Sequence, residues 1–140
     1  MNLVKSIGDK KVNLDFNKEF INTLTDKIKT GDFKFINQTL KDLHPSDVAN
    51  LIENLSAETR GKLIEIEEFS IDPEIFIEIN ESVQTEVLQL LTAESIAKIL
   101  RRLESDNSIA ILENLSSKKK TSVLDKLPPK DRFLLEEGLS

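Results

Sequence analysis

Stepping by twelve from Leu43 reaches Leu55, Glu67, Ile79, Leu91, Leu103, Leu115, Leu127 and Leu139, an internal repeat unbroken from its first anchor to the end of the sequence. Eight places after each of the first eight anchors stand Leu51, Leu63, Ile75, Val87, Ile99, Ile111, Val123 and Leu135. At 39% apolar residues, composition alone would supply about three of those eight. The period decides what the repeat can be. Twelve residues of continuous helix make about 3.3 turns and rotate the anchor about 120° per repeat, so one long helix cannot keep the anchors on one side. A helix of roughly eight or nine residues followed by a tight turn resets the register each time, as stacked repeats require.

Helix-start chemistry recurs in the same register. Ser56, Asn80, Thr92 and Ser116 each follow an anchor and can accept a backbone N–H as N-caps. Pro45 and Pro129 stand one place further on, where the missing N–H has no intrahelical partner to lose. Glu58, Glu94 and Asp106 fall in first turns, on the favourable end of the helix dipole. The sixth position after the anchors is mostly small (Ala49, Gly61, Thr85, Ala97, Thr121), which predicts close approach of neighbouring helices. The third unit breaks the pattern. Glu67 replaces the apolar anchor and Pro73 falls inside the expected helix, which predicts a shortened or shifted helix between Asp72 and Ile79.

Ahead of the array, Phe16, Phe20, Ile21, Leu24 and Ile28 trace the stripe of an amphipathic helix over Asp15–Ile28. Gly31 can take the left-handed conformation beyond its end, and Asp32 suits the cap of the next helix. Phe33, Ile36, Leu40 and Leu43 mark that second helix, completing a helical hairpin. The expectation is a flexible lead-in over residues 1–14 and a single all-α domain over 15–140, a solenoid of short helices preceded by the hairpin.

The charge distribution narrows the function. The net charge is -6, but residues 43–116 hold fifteen acids against five Lys and Arg, while residues 1–42 and 117–140 are each mildly basic. A nucleic-acid groove needs a cationic stripe to displace counterions, so the charge argues against nucleic acid as the partner. The acidic middle favours a cation or a basic partner. Without Cys, Tyr or Trp, and with one His, there is no Cys–His pair, no transition-metal cluster and no glycine-rich phosphate loop. No enzyme is expected. His44 reads as a turn residue before Pro45, and Lys118, Lys119 and Lys120 as a solvated face with Asp125 nearby. Ten carboxylates between Glu53 and Glu86 could attract a hard divalent cation; magnesium often takes only one or two carboxylates and keeps much of its water. The absence of a signal-like N-terminus or a spanning apolar run leads us to expect no export and no insertion of these residues into a bilayer.

Residues 43–55 (LHPSDVANLIENL), 91–103 (LTAESIAKILRRL) and 127–132 (LPPKDR), together with the hairpin broken at Gly31 and Asp32, are similar to the cytosolic N-terminal domain of MgtE-type magnesium transporters. The resemblance covers roughly residues 16–140. It implies a right-handed superhelix of short helices, followed in the full protein by paired CBS domains, a connecting helix and a homodimeric pore in the bacterial inner membrane, with this part on the cytoplasmic face. It also implies that the sequence is a domain cut from such a protein. By the same resemblance, Mg2+ bridges acids of this domain and of the CBS domains when internal magnesium is high, and so favours the closed pore. Glu74 and Asp106 are the metal ligands it implies; the family often carries further acids where this chain has Asn107 and Ala110. The alternative reading is a protein-interaction scaffold, because similar short-helix repeats resemble parts of the flagellar motor switch protein.

Overall fold

The computed structural model describes residues 18–67 and 72–139, and the side chain of Glu67 is outside the description. The expected lead-in, Phe16 and the anchor side chain at 67 therefore lie outside the described residues. What is described is all-helical: α1 (Lys18–Thr30), α2 (Phe33–Lys41), α3 (Pro45–Asn54), α4 (Ala57–Glu67), α5 (Pro73–Glu78), α6 (Glu81–Leu90), α7 (Ala93–Leu100), α8 (Ser105–Glu113), α9 (Ser117–Asp125) and α10 (Pro129–Leu139).

The hairpin forms as its sequence requires. Gly31 has φ of 72°, Asp32 N donates to Lys27 O at 3.0 Å and Gly31 N to Ile28 O at 3.2 Å, which closes α1 in a Schellman turn. The Asp32 carboxylate accepts from Phe35 N at 3.1 Å and starts α2. One part of the α2 stripe differs from expectation. Phe33, in the first turn and at the edge of the stripe, stays 56% exposed, while Ile36 and Thr39 are buried. Phe35 is the half-buried aromatic instead, with Lys27 Nζ 5.3 Å from its ring centroid.

From α3 onward the twelve-residue register sets the helix starts. Ser56, Asn80, Thr92 and Ser116 accept from the N–H of the third residue beyond, at 3.1, 2.9, 3.1 and 3.2 Å respectively. Pro45 and Pro129 open α3 and α10. The third unit is shortened, with α5 running only six residues behind the Asp72 cap. Each of the eight residues standing eight places after an anchor is buried. Full burial of one such aliphatic side chain is worth about 1.5–3 kcal/mol, so these positions are the spine of the core.

Helices pack chiefly on neighbours two along the chain: α3 on α5, α4 on α6, α7 on α9 and α8 on α10, with α1 against α2 and α4. The interior forms two apolar clusters, one from Phe20 to Ile79 and one from Ile64 to Leu135, and half-buried Val83 packs against both. Of the small sixth positions, Ala49 and Ala97 are buried in the core, while Gly61 is not held to glycine. A Cβ at Gly61 would meet Leu90 Cδ1 at 3.7 Å, an ordinary contact, so nothing there requires a glycine.

A second period, twice the first, appears in the buried polar residues. Arg60, Gln84 and Ser108 are each the fourth residue of an alternate helix, α4, α6 and α8. Arg60 Nε donates to Ile52 O at 3.1 Å, Gln84 Nε2 to Phe76 O at 2.7 Å and Ser108 Oγ to Leu100 O at 2.8 Å. In each case the acceptor is the carbonyl eight residues earlier, in the last turn of the preceding helix, where carbonyls lack intrahelical donors. In the same register the alternate units hold Val48 and Ile96, both buried, and Asp72 and Lys120, which are not. The structural unit is thus a helix pair of twenty-four residues. The ladder ends at Arg132, whose guanidinium turns outward to Asp125 (2.8 Å) and Glu136 (2.7 Å). The hydrogen bond and charge of Glu136, then those of Asp125, raise its pKa above the ordinary arginine value.

Candidate functional site

The acidic middle divides into engaged and open carboxylates. Glu86 pairs with Arg60, with both oxygens within 3.0 Å of Nη1. Glu53 reaches across to accept from Asn80 N at 2.7 Å, tying α3 to the start of α6. Asp72 accepts from Glu74 N at 2.9 Å. Asp72 caps its own helix, while Glu53 and Glu86 act as struts between helices. Their partners for Glu53 and Glu86 lie 27 and 26 residues away, so no local pattern marks them.

Glu74 and Asp106, the two expected ligands, are exposed in the first turns of α5 and α8. Among the described residues neither carboxylate is in a salt bridge. The start of α8 has Glu104 at the cap with no side-chain hydrogen bond, so its first N–H groups face solvent beside Asp106. Exposed carboxylate oxygens are the hard donors magnesium takes, and this much fits. Among the described residues no group of three or more His, Asp or Glu is placed to hold a metal.

His44 is exposed at the start of α3 with no side-chain capping bond, in keeping with a turn residue. The three lysines Lys118–Lys120 are exposed or half-exposed, but Asp125 pairs with Arg132 rather than with them. A cavity of about 390 Å³ opens between α2, α3 and α4, walled mainly by Leu40, Leu43, Val48, Ile52 and Leu63. Its lining also includes Asn37, Lys41 and Asp72. No helix among the described residues is long and apolar enough to cross a membrane.

The family model for the MgtE intracellular N domain matches residues 43–140, from the first anchor of the repeat through the last unit. The chain belongs to that family. Membership in the MgtE intracellular N domain family places it in no enzyme class. A solved chain, the crystal structure of the soluble part of a magnesium transporter, has a similar fold, with a TM-score of 0.71 at 18% identity. The match covers 87% of this chain and 48% of that one, so the chain spans about half the length of the solved protein. At that identity the likeness concerns the fold. A search of curated proteins returns no match.

Proposed function

We propose that this MgtE intracellular N domain is the regulatory part of a magnesium transporter, and that it senses Mg2+ through half-sites completed by CBS domains. The observation that carries the reading is the state of the acids. Among the described residues Glu74 and Asp106 are exposed and in no ion pair, and no complete metal cage occurs. Family membership and the fold shared with the soluble part of a magnesium transporter supply the context.

The physics of such a switch is differential affinity. An ion shared by two surfaces binds the state in which they are together and has half a site when they separate. Carboxylates facing carboxylates repel until the ion arrives, so low magnesium releases the domain and high magnesium holds it in. Moving a two-state equilibrium from about 1:99 to 99:1 requires about 10⁴-fold tighter binding to one state. Two exposed carboxylates of this domain cannot supply that alone, and a partner's acids are needed. Glu53 and Glu86 are unsuited to the ion, since binding it would break their contacts to Asn80 and Arg60.

The test is the double variant Glu74→Gln and Asp106→Asn in a form of the protein carrying the CBS pair, with protection from proteolysis read against Mg2+ concentration. The half-site reading expects the protection midpoint to move at least tenfold higher, with the helical content of the domain unchanged. An unmoved midpoint would remove these two residues from the mechanism.

A further inference from the structure

Stacked repeats form the same crevice more than once, and here it occurs at two places five units apart. Leu100, Arg101, Leu103, Ser105 and Leu135 line a crevice between α7, α8 and α10. The residues in the same register five units earlier, Leu40, Lys41, Leu43, Pro45 and Ile75, line the cavity between α2, α3 and α4, which α5 borders. The two differ in what fills them. The later crevice holds about 80 Å³, and Arg101 Nε donates to Asp131, also in the lining, at 3.1 Å. The earlier one holds about 390 Å³, within the range of about 300–1,000 Å³ usual for small-molecule sites. In the register of Asp131 the sequence has Ile71, so Lys41 lacks the acid that engages Arg101. Lys41 makes no ion pair among the described residues.

The lining divides into an apolar body and a polar rim. Val48, Ile52 and Leu63 are buried residues of the body, with half-buried Leu40 and Leu43 beside them. Asn37 and Lys41 supply the rim. They stand four residues apart on α2, hence on one face of that helix, and both are exposed. The third polar lining residue is Asp72, whose carboxylate already accepts from Glu74 N at 2.9 Å. Its charge repels an anion, so a bound acid turns its head toward α2. An apolar body with a free ammonium and a carboxamide on one rim suits a chain that ends in a single carboxylate. The chain leaves water for the apolar wall, and the carboxylate accepts a charge-assisted hydrogen bond.

We infer that this cavity binds an amphipathic monocarboxylate of the medium-chain fatty acid class, its chain among Leu40, Val48, Ile52 and Leu63 and its carboxylate on Lys41 Nζ, with the Asn37 amide beside it. Neither Glu74 nor Asp106 lines the cavity, and the site is independent of magnesium and of the half-site reading. Each methylene moved from water into the wall contributes about 0.8 kcal/mol, so affinity rises about fourfold per carbon until the cavity is full.

The experiment is a titration of the 140-residue chain with hexanoate, octanoate, decanoate, octan-1-ol and octylammonium, followed by ¹H–¹⁵N NMR. Saturable shifts are expected in α2 to α5, with the dissociation constant falling about fourfold per added carbon along the acids. Lys41→Glu reverses the rim charge at an exposed position that leaves the fold intact. It is expected to weaken octanoate about tenfold, to leave octan-1-ol unchanged and to strengthen octylammonium. Leu43→Trp narrows the cavity and is expected to weaken acid and alcohol alike. No saturable shift up to about 10 mM decanoate, shifts centred outside α2 to α5, octanoate binding indifferent to Lys41→Glu, or an equal loss of octan-1-ol in that variant would each overturn the proposal.

Discussion

Arg60 is the side chain on which the stacked helices depend most, and replacing it by alanine separates two accounts of why. Its guanidinium is 8% exposed and makes contacts of three kinds: Nε to Ile52 O at 3.1 Å, Nη2 to Leu55 O at 2.9 Å and Nη1 to Glu86. The first joins Leu55 N on the Ile52 carbonyl and the second serves the carbonyl of Leu55 just past α3, and a charged donor to a buried carbonyl contributes about 1.5–3 kcal/mol. The ion pair contributes less. Glu86 is 37% exposed, and solvent screening holds such a pair to about 0.2–1 kcal/mol. Arg60→Ala should therefore cost about 3–5 kcal/mol, including the volume left beside α3. In a domain of this size that is a fall in melting temperature of roughly 10–15 °C. Glu86→Ala removes the ion pair and leaves the capping bonds, so it should cost at most about 1 kcal/mol. Urea unfolding followed at 222 nm measures both. Equal costs for the two variants would mean that the ion pair between α4 and α6, not the capping of the α3 carbonyls, carries the contribution of Arg60, and would refute the reasoning.

Three further outcomes follow from local geometry. Gly61→Ala should stabilise by about 0.5–1 kcal/mol, because the added Cβ meets only an ordinary contact and the helix gains propensity; a lower melting temperature would contradict it. Gly31→Ala should destabilise by about 1 kcal/mol although its Cβ would touch nothing, since φ of 72° strains any residue with a side chain. Asn80→Ala should cost about 1 kcal/mol through the lost cap on Val83 N, and in hydrogen exchange the first turn of α6 should open before its centre does.

Much of this architecture is written in the sequence because its determinants are local. A cap and the N–H it serves lie three residues apart, as at Ser56 and Ser116, and Pro73 shortens α5 from inside its own unit. The core positions follow from a register visible by counting. What the register conceals is how the units are joined. Glu53 meets Asn80, Arg60 meets Glu86 and Asn114 meets Gln84 across 26 to 30 residues, and a charge tally counts Glu53 and Glu86 as open acids. One signal was available: polar Arg60, Gln84 and Ser108 recur every twenty-four residues at a place where Val48 and Ile96 are apolar. A polar residue at a core register needs a buried partner, which here is a helix-end carbonyl. Phe33 shows the opposite limit, since periodicity put it on the apolar stripe while its place in the first turn left it 56% exposed. For the candidate ligands, Glu74 and Asp106, the sequence and the fold give exposure and position; in the proposed split site the remaining ligands come from a second surface.

The measurement that tests the split-site account most directly compares the radius of gyration, with and without Mg2+, of the isolated domain and of the same domain joined to CBS domains. The account predicts no change in the isolated domain and a clear compaction of the joined form as Mg2+ is added. Mg2+ binding to the isolated domain as tightly as to the joined form would contradict it.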